Sequence, residues 1–144
     1  MTPEFIKHLL IQKVPSIFKN YPVLFAYLYG SYAAGAVHPF SDVDIAVYIP
    51  GSDTKNSLKI ELSLSVEIDN LLCGKAQCDV RVINGLPLSF LGQILTEGIL
   101  IYSRDEVVRV DFETSVRNTY FDFTPVLKLY RQEYLKRSIN QSGG

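Results

Sequence analysis

The fifteen residues from Gly30 to Asp44 constrain this chain more than any other stretch. An apolar run, Val23 to Tyr29, ends in a Gly30-Ser31 turn, and Asp42-Val43-Asp44 leads into a second run, Ile45 to Ile49. Apolar runs of this length, rich in β-branched and aromatic residues, read as buried strands. Carboxylates two apart at the start of a strand project from the same face. Like charges at the border of a core repel each other, and a cation relieves them. A divalent metal suits the pair, magnesium above all, because every available ligand is a hard oxygen. The Gly-Ser turn facing them offers backbone N–H groups and a hydroxyl, which suit phosphate. Together these features point to nucleotide chemistry. The residues alone leave a blander arrangement open, in which a Ser-Asp turn caps a helix and Asp44 lies on a solvated strand face.

The order Gly-Ser, ten residues, Asp-x-Asp resembles the signature of the DNA-polymerase-β-like nucleotidyltransferase superfamily. The wording Gly30-Ser31-Tyr32-Ala33-Ala34-Gly35 is most similar to its minimal nucleotidyltransferases, which pair with HEPN-domain partners in prokaryotic toxin–antitoxin modules. The motifs that carry the resemblance span Val23 to Asn84. It implies a single nucleotidyltransferase domain over 1–144, of α/β (α+β) class, with a small mixed sheet of about four strands flanked by helices. It also implies a third carboxylate on the strand after the intervening helix, and Asp79 is the matching position.

On this resemblance Asp42, Asp44 and Asp79 are the catalytic and metal-binding residues. They would hold two magnesium ions in a two-metal in-line displacement at the α-phosphorus of ATP. Gly30, Ser31 and Gly35 are the phosphate-binding residues. One position departs from the pattern: relatives often carry Arg or Lys just before the second glycine, and here it is Ala34. Arg81, Lys55 and Arg104 are the candidates to replace that cation.

At 144 residues the chain is one domain on size, long enough to bury a real core. A net charge of −1 argues against holding nucleic acid by phosphate neutralisation. No stretch approaches the length of a membrane helix, and the N-terminus lacks a signal pattern, so a cytoplasmic protein is expected. Cys73 and Cys78 are too few for a disulfide framework or an unaided zinc site, and read as ordinary thiols. So short a chain has little beyond a catalytic core and must borrow its acceptor site. With the resemblance, this implies an antitoxin that transfers AMP from ATP to a hydroxyl, a tyrosine above all, of a cognate HEPN ribonuclease toxin. The alternatives are an antitoxin that silences its partner by occupancy, with a vestigial site, and a small-molecule nucleotidyltransferase.

The remaining elements follow from punctuation. Thr2 and Pro3 start a helix with Phe5, Ile6, Leu9 and Leu10 at helical spacing, which Pro15 should end or kink. Pro50 to Asp53 forms a loop that supplies caps for a helix. The segment 56–72 is ambiguous: Leu58, Ile60, Leu62, Leu64, Val66 and Ile68 alternate like a strand, while Ile60, Leu64, Ile68 and Leu72 fit a helix. Its length and the resemblance's strand–helix–strand order favour a helix, apolar on a wide face. Cys78 to Asn84 reads as a third strand, Leu88 to Thr96 as a short helix stopped by Gly98, and Ile99 to Tyr102 as a fourth strand. Asp105 onward is helical, a last helix is expected over 125–139, and 140–144 reads as a frayed tail. Tyr120, Phe121, Phe123, Tyr130 and Tyr134 are candidates for a partner interface or for the core.

Overall fold

The computed structural model describes residues 2–38, 41–51, 53–120, 129 and 132–133. The expected helix over 125–139 and the tail at 140–144 lie outside them, apart from residues 129 and 132–133, which are helical. Thr2 opens helix α1 (Pro3–Phe18) as its N-cap, accepting from the Phe5 N–H at 3.2 Å. The helix does not end at Pro15 but continues to Phe18. Ile6, Leu10, Val14 and Phe18, each four residues apart, all bury on one side of it, and that burial outweighs the amide hydrogen bond lost at proline.

Strand β1 (Phe25–Tyr29) leads through the short helix α2 (Ser31–Ala34) to β2 (Val43–Tyr48). Asp53 then caps α3 (Thr54–Leu71), accepting from the Asn56 N–H at 2.8 Å. Next come β3 (Cys78–Val82), α4 (Leu88–Glu97), β4 (Ile99–Ser103) and a helix, α5, over 106–120. The sheet order is β3-β2-β1-β4, with β1 antiparallel to β2 and β4, and β2 parallel to β3. The expected α/β architecture with a four-stranded mixed sheet is therefore observed. A parallel pair needs a crossover of a dozen or more residues, which is why 56–72 resolves as helix rather than strand.

Strand alternation sorts side chains between two cores. Ala26, Leu28, Ile45, Val47 and Val80 face α1 and α3. Phe25, Tyr27 and Ala46 face α4 and α5, where Phe25 stacks on Tyr48 with ring centres 4.6 Å apart. Helix α3 explains its own ambiguous sequence. Leu64 and Ile68 are fully buried, each worth about 2 kcal/mol. Leu58, Leu62 and Val66 instead form an exposed stripe on the outer side. Between these two faces Glu61, Ser65 and Asp69 accept from the N–H groups of Val82, Val80 and Cys78 at 2.9, 3.2 and 2.6 Å. Those amides point away from β2, along the free border of the sheet.

Candidate functional site

The signature loop begins where β1 ends. Gly30 takes φ +74° and ψ −155°, a conformation that L side chains avoid, and the chain folds at once into α2. A Cβ at Gly30 would run into the carboxylate of Asp44, so that carboxylate lies against the glycine backbone. Gly35 closes α2 in the left-handed region, φ +74° and ψ 17°, with its N–H on the Ser31 carbonyl. A Cβ at Gly35 would meet nothing within 4 Å, so glycine is required there for its dihedral angles. Ser31 and Tyr32 occupy the first positions of α2, where helix geometry leaves amides without intrahelical partners. Ser31 is half-buried; Pro39 and Phe40 of the loop lie outside the described residues.

Sheet register assembles the acids. Tyr29, Asp44 and Asp79 stand side by side on β1, β2 and β3. Asp44 shares its face with Ala46, and Asp79 with Arg81, so both carboxylates project toward the α4 side of the sheet. Burial, then the charges of Asp79 and Asp42, hold the Asp44 carboxyl above its ordinary value, against the opposing pull of Arg81. Burial and the Asp44 charge likewise push the Tyr29 phenol up to about 12. Asp79 is half-exposed and takes a hydrogen bond from Arg81 Nε at 3.3 Å. At that exposure the pair is worth little in stability.

Asp42 precedes β2, is exposed, and lines a cleft of about 580 Å³ that also holds Tyr32, His38, Ser41, Lys75 and Gln77. Among the described residues no three Asp, Glu, His or Cys side chains converge into a metal-binding group, so the three acids are neighbours without forming a closed cage. Their donor chemistry nonetheless fits a hard divalent cation, and Asp44, half-buried beside two other carboxylates, carries an unmet demand for positive charge.

Of the cations named to replace the one absent at Ala34, only Arg81 reaches the acids. Arg104 sits beside the start of β1, where its guanidinium donates to the Tyr21 carbonyl at 3.0 Å. Lys55 lies in the first turn of α3, past the far end of β2. Sequence reasoning missed Lys75, which the α3–β3 turn brings to the Asp42 cleft. Its signal was the Gly74-Lys75 turn immediately ahead of the strand that carries Asp79.

Acids paired across adjacent strands, with a Gly-Ser turn folded onto one of them, define a class of nucleotidyl-transferring enzymes. The chain belongs to the polymerase beta nucleotidyltransferase family, whose sequence profile matches residues 12–107, from within α1 to the start of α5. No curated protein matches the chain in sequence. Solved structures with the same fold include a toxin–antitoxin with AMP-PNP, at 18% identity over 90% of this chain and 98% of that one, TM-score 0.64. A complex of the tri-AMPylated Shewanella oneidensis HEPN toxin with its MNT antitoxin matches at 18% identity over 92% and 98%, TM-score 0.62. The MntA–HepT toxin–antitoxin matches at 16% identity over 92% and 98%, TM-score 0.61. Among the described residues no helix is long and apolar enough to cross a membrane.

Proposed function

We propose that this nucleotidyltransferase is an antitoxin that transfers AMP from ATP to a hydroxyl, a tyrosine above all, of a HEPN-type ribonuclease and thereby silences it. The observation that carries the reading is the Asp44–Asp79 register beside Gly30, on a fold matched almost end to end by toxin–antitoxin structures. AMP on the partner would add a bulky anion that opposes RNA binding.

Asp42, Asp44 and Asp79 are the residues that would hold two magnesium ions, which supply charge neutralisation on the triphosphate and acidify the acceptor hydroxyl. Ser31, with its hydroxyl and amide, and the Gly30 backbone orient the outgoing phosphates. The left-handed turn at Gly35 fixes the exit of that loop. Asp79, once released from its hydrogen bond with Arg81, would take the proton from the acceptor hydroxyl. The acceptor oxygen then bonds to the α-phosphorus as the bond to the pyrophosphate oxygen breaks opposite it. Positioning and electrostatics carry nearly all of such a transfer, so the acids tolerate no substitution.

Arg81 on Asp79 also favours a second reading, a binding antitoxin in which that guanidinium permanently neutralises a retired site. Intact-protein mass spectrometry of the partner, incubated with this chain, magnesium and ATP, separates the two. A mass gain of one or more AMP units, lost in Asp42→Asn/Asp44→Asn, is the expected result. No gain, with the partner still silenced in a stable complex, establishes occupancy.

A further inference from the structure

The outer side of α3 carries a row of side chains that reads the same from either end. Lys55, Leu58, Leu62, Val66 and Asp69 follow one another at steps of three, four, four and three residues. At the pitch of an α-helix all five fall within about 80° of arc, so they form one line along it. Leu58, Leu62 and Val66 are 55%, 61% and 58% exposed. Single exposed apolar side chains need no explanation, but three in line mark a face that meets something.

We infer that this face pairs with the same face of a second copy of the chain, α3 antiparallel to α3, about a two-fold axis at Leu62. Rotation about that axis sets Leu62 on its own counterpart, Leu58 on Val66 and Lys55 on Asp69, the last two pairs each occurring twice. Apolar side chains then meet in the middle and an opposite charge closes each end. The Asp69 Oδ1 already accepts from the Cys78 N–H at 2.6 Å, and a carboxylate has a second oxygen with which to meet the lysine. A parallel arrangement would set Lys55 on Lys55 and Asp69 on Asp69, so charge selects the antiparallel one.

The symmetry of the row is what favours a second copy over an unrelated protein. A face built for another protein is complementary to that protein and has no reason to be complementary to itself. The neighbouring border of β3 offers a second copy a poorer route, because Glu61, Ser65 and Asp69 already occupy the Val82, Val80 and Cys78 amides. From Lys55 to Asp69 the row runs about 21 Å, which places the contact at the low end of specific interfaces and makes it an exchanging one. The acids project toward the α4 side of the sheet, whereas α3 packs on the opposite side. Pairing and nucleotide chemistry therefore use different faces, and the inference does not depend on the function proposed above.

Sedimentation velocity of the full chain between about 5 and 500 µM tests it, since a contact of this size should dissociate in that range. The expected result is a monomer–dimer equilibrium that Leu62→Glu weakens by about tenfold or more, two like charges meeting on the axis, with an unchanged circular dichroism spectrum. Lys55→Glu should weaken it several-fold. For the register, Leu58→Cys and Val66→Cys chains, both also carrying Cys73→Ser because Cys73 is an exposed thiol, should form a disulfide with each other when mixed and not with their own kind. A chain that stays monomeric throughout, or a dimer that Leu62→Glu leaves intact, overturns the inference. A Leu58→Cys chain that cross-links to itself overturns the antiparallel register. A monomeric wild type in which Leu62→Glu abolishes binding of a HEPN-type partner gives the face to that protein, and one in which it lowers the melting temperature gives the face to another part of the same chain; either result overturns the pairing of copies.

Discussion

Gly30→Ala is the sharpest test of how the signature loop is built. The backbone angles at Gly30 lie in a region that is essentially glycine's alone, and forcing another residue there costs about 1–3 kcal/mol. The new methyl must also turn the Asp44 carboxylate out of its place, which adds about 1 kcal/mol for an off-rotamer side chain. A total near 3 kcal/mol lowers the melting temperature of a chain this size by about 10 °C. Gly35→Ala is the control: its φ is the same, but its left-handed conformation costs only about 1–2 kcal/mol and its Cβ meets open space. Both substitutions narrow the unfolded ensemble equally, so their difference isolates the native state. Urea titrations of Gly30→Ala, Asp44→Ala and the double variant then give the contact itself, expected as a coupling of about 1 kcal/mol. A coupling of zero, or a Gly30→Ala cost no larger than that of Gly35→Ala, refutes the claim that Asp44 is packed onto the glycine.

Two further outcomes are expected. The Asp44 carboxyl is held above its ordinary value of 3.8, so the fold binds that proton more tightly than the unfolded chain does; stability is highest with Asp44 protonated and falls as pH rises through its folded pKa. In thermal melts across pH, Asp44→Asn should therefore be more stable than the wild type at pH 7 and lose that advantage in acid, and a gain independent of pH contradicts the assignment. Ser65→Ala leaves the Val80 amide without its acceptor and should cost about 1–2 kcal/mol in urea melts with faster exchange of that amide, whereas Ser63→Ala on the exposed side should change neither.

Much of this molecule is legible in its residues because local and global signals agree there. The Gly-Ser turn, the Asp-x-Asp entry to β2 and the capped starts of α1 and α3 each have one cheap conformation, and the structure adopts it. Pro15 misled because local chemistry argues for a break, while four apolar side chains spaced by four, invisible one residue at a time, argue for continuation. The alternation in 58–68 left helix and strand both open for a related reason: α3 serves a core on one side and carries a bare apolar stripe on the other, which mimics a strand's period of two. At the candidate site, motif spacing marks Asp42, Asp44 and Asp79 but carries nothing about distance. Only the register shows Asp79 beside Asp44 and already engaged by Arg81, and only the return of α3 brings Lys75 to the cleft that Asp42 lines.

The bonds from Glu61, Ser65 and Asp69 to the border of β3 have a consequence for the life of the chain before and between folding events. A bare strand border recruits other strands, from neighbouring copies as readily as from a proper partner. Here the row of amides is already occupied by side chains 21, 15 and 9 residues upstream. Contacts that close over such short separations form early, since little loop entropy opposes them. Once β3 meets the helix that precedes it, these three border amides are occupied, so the strand bearing Asp79 offers fewer donors to a stray strand.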